Sequence, residues 1–136
     1  MRMSSYKRLT LAGIAILVVW TLLDALAHRL FLAPLYAATP HLWRPFEEMN
    51  VALIYTVTVG LIAIFVAAYQ LLVRPKSLRA GLLLGLLLGL ALGTSVGFGT
   101  YIHAPIPLAL AWGWFLVGSV KGLAAGAILG ALVAQG

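Results

Sequence analysis

Four stretches of this chain are long and apolar enough to cross a lipid bilayer, and that feature leaves few folds open. They cover about residues 9–33, 46–73, 78–101 and 108–134. Each reaches the roughly 20 residues needed to span a hydrocarbon layer ~30 Å thick. In that layer every backbone N–H and C=O must be paired without water, which restricts spanning segments to helices and closed barrels. No segment shows strand-like alternation, so all four are read as helices. Composition closes the soluble alternative. The 136 residues are 63% hydrophobic and 9% charged, against roughly 45–50% and ~25% in soluble domains, and a ~150-residue domain buries only about 70% of its unfolded surface. The expected fold class is an all-α integral membrane four-helix bundle, a single transmembrane domain over residues 1–136.

Proline and polar residues punctuate these segments. Pro34 stops the first and Arg74-Pro75 ends the second, because the residue before proline is pushed out of helical geometry. Pro45 is expected as the first helical residue of the second segment, with Glu47 and Glu48 in the first turn, where the helix dipole favours carboxylates. Ser77 is the expected N-cap of the third segment. Pro105 and Pro107 precede the fourth.

The formal charge of +6 is informative through its distribution. Arg2, Lys7 and Arg8 precede the first segment, and Arg74, Lys76 and Arg79 separate the second from the third, with no acid in either stretch. Arg29, Arg44 and Lys121 are matched in number by Asp24, Glu47 and Glu48, the only acids. A Lys/Arg excess in short segments on one side is the positive-inside pattern, and it excludes the basic stripe of a nucleic-acid reader. Both termini are therefore expected in the cytoplasm of a bacterium, with the chain in the inner membrane and the 34–45 and 102–107 connections outside. Tyr36, Trp43, Tyr101, Trp112 and Trp114 fall near the outer boundary and Tyr6 and Tyr69 near the inner one, as aromatic belts do. The first segment continues past Asp24 to Pro34, too long for an ordinary signal-peptide core, so it is expected to stay uncleaved. The chain has no cysteine, which excludes disulfides and thiolate chemistry.

Glycine recurs every fourth residue in two ladders: Gly81, Gly85, Gly89, Gly93 and Gly97 in the third segment, and Gly118, Gly122, Gly126 and Gly130 in the fourth. Each glycine costs a helix interior about 1 kcal/mol relative to alanine. Small residues at this spacing offset that cost in lipid by letting helices approach closely. Two outcomes are open, a tight antiparallel pairing of the third and fourth helices, or a ladder facing a second copy of the chain.

Ionisable side chains inside a span cost at least ~2.5–3.5 kcal/mol on insertion scales, so each is a functional candidate. Asp24 lies roughly 22 Å along the first helix from Leu9, and His28 shares its face at i+4, with Thr21 extending a polar stripe. Asp24, His28 and Lys121 are the candidates for an ion or proton pathway. The outer residues Asp24, His28, His41, Glu47, Glu48 and His103 form a carboxylate–imidazole set suited to a divalent metal such as Zn, Mn or non-haem Fe, although no H-E-x-x-H spacing is present and no cofactor is strongly implied. The plainer alternative is an internal Asp24–His28 pair, with Arg29, Arg44, Glu47 and Glu48 in interfacial ion pairs. Lys121 lies about 21 Å into the fourth segment and needs an acid partner, either Asp24 or Glu48. Thr94 and Ser95 could add hydroxyls. No nucleophile elbow, phosphate loop or dinucleotide fingerprint occurs, so an enzyme is not expected.

The outer block Asp24-x-x-x-His28 followed by Leu42-Trp43-Arg44-Pro45-x-x-Glu48-Met49-Asn50 resembles a group of small, uncharacterised four-span bacterial inner-membrane proteins. The resemblance implies architecture and compartment, and carries over no activity and no functional residue. Small multidrug exporters are similar in length, but their first-span acid is a glutamate, whereas Asp24 lies near the outer end. Three functions are expected from the residues: passing or sensing a proton or small ion through the outer Asp/His cluster, a non-catalytic accessory or scaffold role in a membrane complex, or metal binding. The expected partners are the lipid bilayer and either a second copy or another membrane protein.

Overall fold

The computed structural model describes residues 3–133. Arg2 and Ala134, which bear on the first basic stretch and on the end of the fourth segment, lie outside the described residues. The first helix, α1, covers Ser5–Leu26 and runs on as a π-helical turn over Ala27–Phe31. It begins earlier than Leu9 because the Ser4 hydroxyl accepts from the Lys7 N–H at 3.4 Å, which caps it. A short helix α2 (Ala33–Ala37) follows, with proline in its first turn. Single 3₁₀ turns then cover Pro40–Leu42 and Phe46–Glu48.

The second long helix departs from expectation at its start. Pro45 is not its first helical residue, and Glu47 and Glu48 are not in its first turn. They form a separate 3₁₀ turn that ends at Met49 in extended geometry. The helix α3 spans Val51–Leu72, because the Asn50 side chain accepts from the Leu53 N–H at 2.9 Å. An asparagine cap placed after the acids sets the boundary in their stead.

The third span is α4 (Leu78–Gly93), a π-helical turn over Thr94–Gly99 and a final turn α5 (Thr100–His103). Ser77 caps it, its hydroxyl accepting from the Ala80 N–H at 3.1 Å. The last helix, α6, spans Leu108–Val133. The Pro107 carbonyl accepts from the N–H groups of Leu110 and Ala111, which starts the helix directly after the proline. The described residues contain helices and no strand, and four helices are long and apolar enough to cross a membrane. The molecule is a multi-pass membrane protein built as a four-helix bundle.

The tightest interface is between α4 and α6, which run antiparallel. Gly81 lies against Gly126 and Gly130, Gly85 against Gly122 and Gly126, Gly89 against Gly118 and Gly122, and Gly97 against Ala111. At each of these positions a methyl group would meet the facing backbone, with a Cβ on Gly85 only 2.8 Å from the Gly126 Cα. The two backbones therefore touch along most of their length. Helix α1 also packs on α6, and α3 rests mainly on α1.

Two apolar clusters result. The larger joins Ala12, Ile16 and Trp20 of α1, Ile62, Phe65 and Tyr69 of α3, and Ala125, Leu129 and Val133 of α6. It fills the half of the bundle nearest the termini. A smaller cluster of Leu32, Ile106, Leu110 and Ala111 closes the other end, beneath the residue 34–50 connection. Helix α3 is peripheral: residues 51–57 are exposed on every face, and packing resumes only from Leu61 onward. Between the two clusters, on the side that the first turns of α3 leave uncovered, the bundle is hollow.

Candidate functional site

The hollow is organised by one face of α1. Trp20, Asp24 and His28 follow at i, i+4 and i+8, which stacks their side chains along the helix. Opposite stands Lys121 of α6. Its ammonium donates to both carboxylate oxygens of Asp24, at 2.9 Å to Oδ1 and 2.8 Å to Oδ2. Of the two acids the sequence offers to Lys121, Asp24 is the one it meets. Trp20 secures the lysine from below, since its Nε1–H donates to the Lys121 carbonyl oxygen at 2.8 Å. The Lys121 ammonium also stands 4.8 Å from the centre of the Trp20 ring, close enough for a cation–π attraction.

His28 sits in the π-helical turn after Asp24, a feature that recurs at functional sites. Its Nε2 lies 3.8 Å from Asp24 Oδ1, beyond hydrogen-bond distance. Its Nδ1 is 2.7 Å from the Tyr36 hydroxyl, which lies 2.7 Å from Trp114 Nε1. Chemistry fixes the Trp114 donor. An indole N–H only donates, so Tyr36 Oη accepts from Trp114 and its own hydrogen is free to point at His28 Nδ1. With the neutral ring's proton on Nε2, which faces Asp24, that hydroxyl donates to Nδ1; with the proton on Nδ1, the hydroxyl oxygen accepts from His28 as well. Burial pushes the Tyr36 phenol above its ordinary range, partly offset by the Trp114 hydrogen bond and reinforced by the Asp24 charge.

Tyr36 is held there by aromatic packing. Trp43 meets it edge-on at 5.3 Å and meets Trp114 at 5.8 Å, and the Trp43 N–H donates to Thr39 at 3.1 Å. Leu32 lies against Gly113 of α6. The connection after α1 is thus folded down onto α6 and roofs the site.

The cavity has a volume of about 260 Å³ and an open side. Leu61, Phe65, Leu92, Val96 and Val117 supply its apolar walls, with Trp20, Tyr36 and Trp114 around the polar groups. The polar side chains remain accessible within it: Asp24 is 35% exposed, His28 42% and Lys121 20%. The carboxylate and the ammonium cancel, so with a neutral imidazole the site carries no net charge.

The other sequence candidates lie elsewhere. His41, Glu47 and Glu48 are exposed on the connection between the first two spans and His103 is exposed at the end of α5, and of the proposed metal ligands only Asp24 and His28 stand together. Among the described residues no group of three or more His, Asp or Glu side chains could hold a metal ion. The metal set fails because its members come from separate turns with nothing to draw them inward. The expected interfacial ion pairs also do not form: among the described residues, every ion pair within 4.0 Å involves Asp24, and Arg29, Arg44, Glu47 and Glu48 are exposed. Thr21 leaves the polar stripe, since its hydroxyl donates to the Leu17 carbonyl at 2.8 Å. Thr94 and Ser95 are exposed away from the cavity.

Three site residues escaped the sequence reading. Tyr36 and Trp114 read as interface aromatics, which hid their hydrogen bonds to the site. Trp20 carried a usable signal, because it precedes Asp24 by one helical turn on the same face. No family model, curated protein or solved structure matches this chain at a significant level.

Proposed function

We propose that this chain is a non-catalytic protein of a bacterial inner membrane, with both termini in the cytoplasm, that senses a proton or small ion at the cluster of Asp24, His28 and Lys121. The orientation rests on the basic residues Lys7, Arg8, Arg74, Lys76 and Arg79, which mark the cytoplasmic side by the positive-inside rule. The cluster then belongs to the outer half of the bilayer.

One observation carries the reading: His28 Nε2 stands 3.8 Å from a carboxylate already neutralised by Lys121. A proton on His28 puts two cations on one carboxylate. At ~4 Å and an effective dielectric near 20, each such interaction is worth about 4 kcal/mol, so the imidazolium competes with the ammonium. It also makes Nδ1 a donor, which forces the Tyr36 hydroxyl hydrogen to turn away. Protonation therefore acts on the contact between α1 and α6, and a small cation entering beside Asp24 would do the same by displacing Lys121. Sensing is favoured over passage because the cluster is followed, toward the termini, by apolar packing. Below it lie the buried side chains Ile16, Phe65, Tyr69 and Leu129, and no residue with a polar or charged side chain is buried among the described residues, tyrosine and tryptophan aside.

The test uses the full chain in liposomes. Tryptophan emission, which Trp20 and Trp114 tie to the cluster, is followed between pH 5 and 8, where histidine titrates, alongside proton flux with an enclosed dye. A single titration abolished by His28→Gln and retained in His41→Gln, without flux, is the expected result. Emission independent of pH would refute sensing, and flux abolished by Asp24→Asn would make the site a conduit.

A second reading, an accessory subunit, draws on α3. Residues 51–57 are all exposed, which leaves the first turns of α3 open to another membrane helix. A photocrosslinker at Val57 that captures one discrete protein in cells supports it, and capture of lipid alone refutes it.

A further inference from the structure

The cavity is larger than a proton or an ion requires. About 260 Å³ is close to the lower end of pockets that hold organic ligands, roughly 300 Å³, and it has an open side where the first turns of α3 give no cover. Three properties define what fits. The charged groups sum to zero, so an organic ion held beside the intact Asp24–Lys121 pair would leave one charge uncompensated at membrane depth, where that is costly. The hydrogen-bonding capacity still available includes donors, the third N–H of Lys121 and, with the imidazole proton on Nε2, the Nε2–H of His28, beside the unused lone pairs of the Asp24 carboxylate, while the N–H groups of Trp20 and Trp114 are already spent. The walls are aromatic and aliphatic, with the rings of Trp20 and Phe65 set edge to face at 5.3 Å.

We propose that the cavity binds an uncharged, membrane-soluble amphiphile whose compact ring head carries carbonyl oxygens, with its apolar tail leaving through the open side into lipid. The carbonyls accept from Lys121 and His28, and the ring lies against Trp20 and Phe65. The proposal rests on the reading of this cluster as a receptive site, and it names the ligand class that the site admits. Two π-helical turns, Ala27–Phe31 and Thr94–Gly99, flank the cavity and contribute His28 and Val96 to its wall. Neither turn is needed for an apolar span, and such turns are frequent at functional sites.

The test compares three probes that share a ten-carbon tail: 2-decyl-1,4-benzoquinone, undecanoate and decyltrimethylammonium. Each is titrated calorimetrically into the full chain in nanodiscs, with empty nanodiscs as the blank. The expected result is saturable binding of the quinone at one per chain, at least tenfold tighter than either charged probe. Val96→Trp, which enlarges a residue of the apolar wall, should weaken quinone binding at least tenfold. Val117→Phe fills it from α6 and serves if the first variant fails to fold. A charged probe that binds as tightly as the quinone, non-saturable uptake matching the blank, or unchanged affinity in both filled variants would overturn the proposal. The pH response of the ligand-free protein separates the two readings. Absent quinone binding with the His28 titration intact removes only the ligand, whereas loss of the titration in the parent removes the sensing site itself.

Discussion

Trp20 and Lys121 engage each other twice: the indole N–H donates to the lysine carbonyl at 2.8 Å, and the same ring lies 4.8 Å from the lysine ammonium. One side chain of α1 thereby fixes both the backbone and the head of a residue on α6. The lysine reaches Asp24 from a defined position. Trp20→Phe keeps an apolar ring but removes the N–H, and a hydrogen bond of this kind contributes about 1 kcal/mol. The variant should lose about that much in unfolding by SDS from mixed micelles, and its His28 titration should move because the ammonium beside Asp24 is less firmly held. An unchanged midpoint in both measurements would separate Trp20 from the site.

The Asp24–Lys121 pair makes a stronger prediction, because either partner alone is an uncompensated charge at membrane depth. Breaking a buried pair from one side costs about 3–5 kcal/mol, whereas replacing both partners by uncharged side chains is often near neutral. The partial exposure of this pair puts the expected loss toward the lower value, about 3 kcal/mol. Asp24→Asn and Lys121→Met should each be strongly destabilised, and the double variant should recover most of the loss. Additive losses in a double-mutant cycle would mean that the two groups do not interact.

Glycines on α4 and α6 should respond to alanine according to what the new methyl group meets. On Gly85 it would fall on the Gly122 carbonyl oxygen and press on Gly126, both backbone. Backbone cannot rotate aside, so Gly85→Ala should destabilise by at least the ~1–3 kcal/mol of an overpacked core. Gly60, on the peripheral α3, has nothing within 4 Å of a built Cβ. Gly60→Ala should therefore be neutral or stabilising by about 0.5 kcal/mol, since alanine is the better helix former. Equal effects at the two positions, read as thermal midpoints in detergent, would deny the close approach of α4 and α6.

The spans were legible from hydropathy alone, because a bilayer imposes length and apolarity on each helix independently of its neighbours. Ser77 as a cap was equally local. What sequence missed was set by contacts across elements. Glu47 and Glu48 look like first-turn carboxylates until Asn50 is seen to start the helix, a competition between two adequate signals. Lys121 could be narrowed to two acids but not to one, since helix order around the bundle is not encoded in spacing. Tyr36 joined the site only because the connection after α1 folds back onto α6 through Trp43 and Trp114, a tertiary event with no local signature. The metal set erred in the opposite direction, gathering residues that share an end of the bundle and treating a shared depth as a shared location.

Tyr36 offers a test of that fold-back through pH. Its phenol is pushed above the ordinary value of about 10 chiefly by burial, so the unfolded chain releases this proton before the folded one does. Between the two values the folded state holds more protons than the unfolded state, and stability falls as pH rises. The contribution is complete below about pH 10 and is lost as pH climbs through the folded-state value. Tyr36→Phe should remove this part of the alkaline decline, giving a flatter dependence of unfolding on pH between 9 and 11 than in the parent. The same substitution leaves the Trp114 N–H and His28 Nδ1 without their partner, which costs about 1–3 kcal/mol at neutral pH. The two stability curves should therefore converge as pH rises. Parallel curves would place the Tyr36 hydroxyl in water, and the hydrogen-bond chain from Trp114 to His28 would lose its central member.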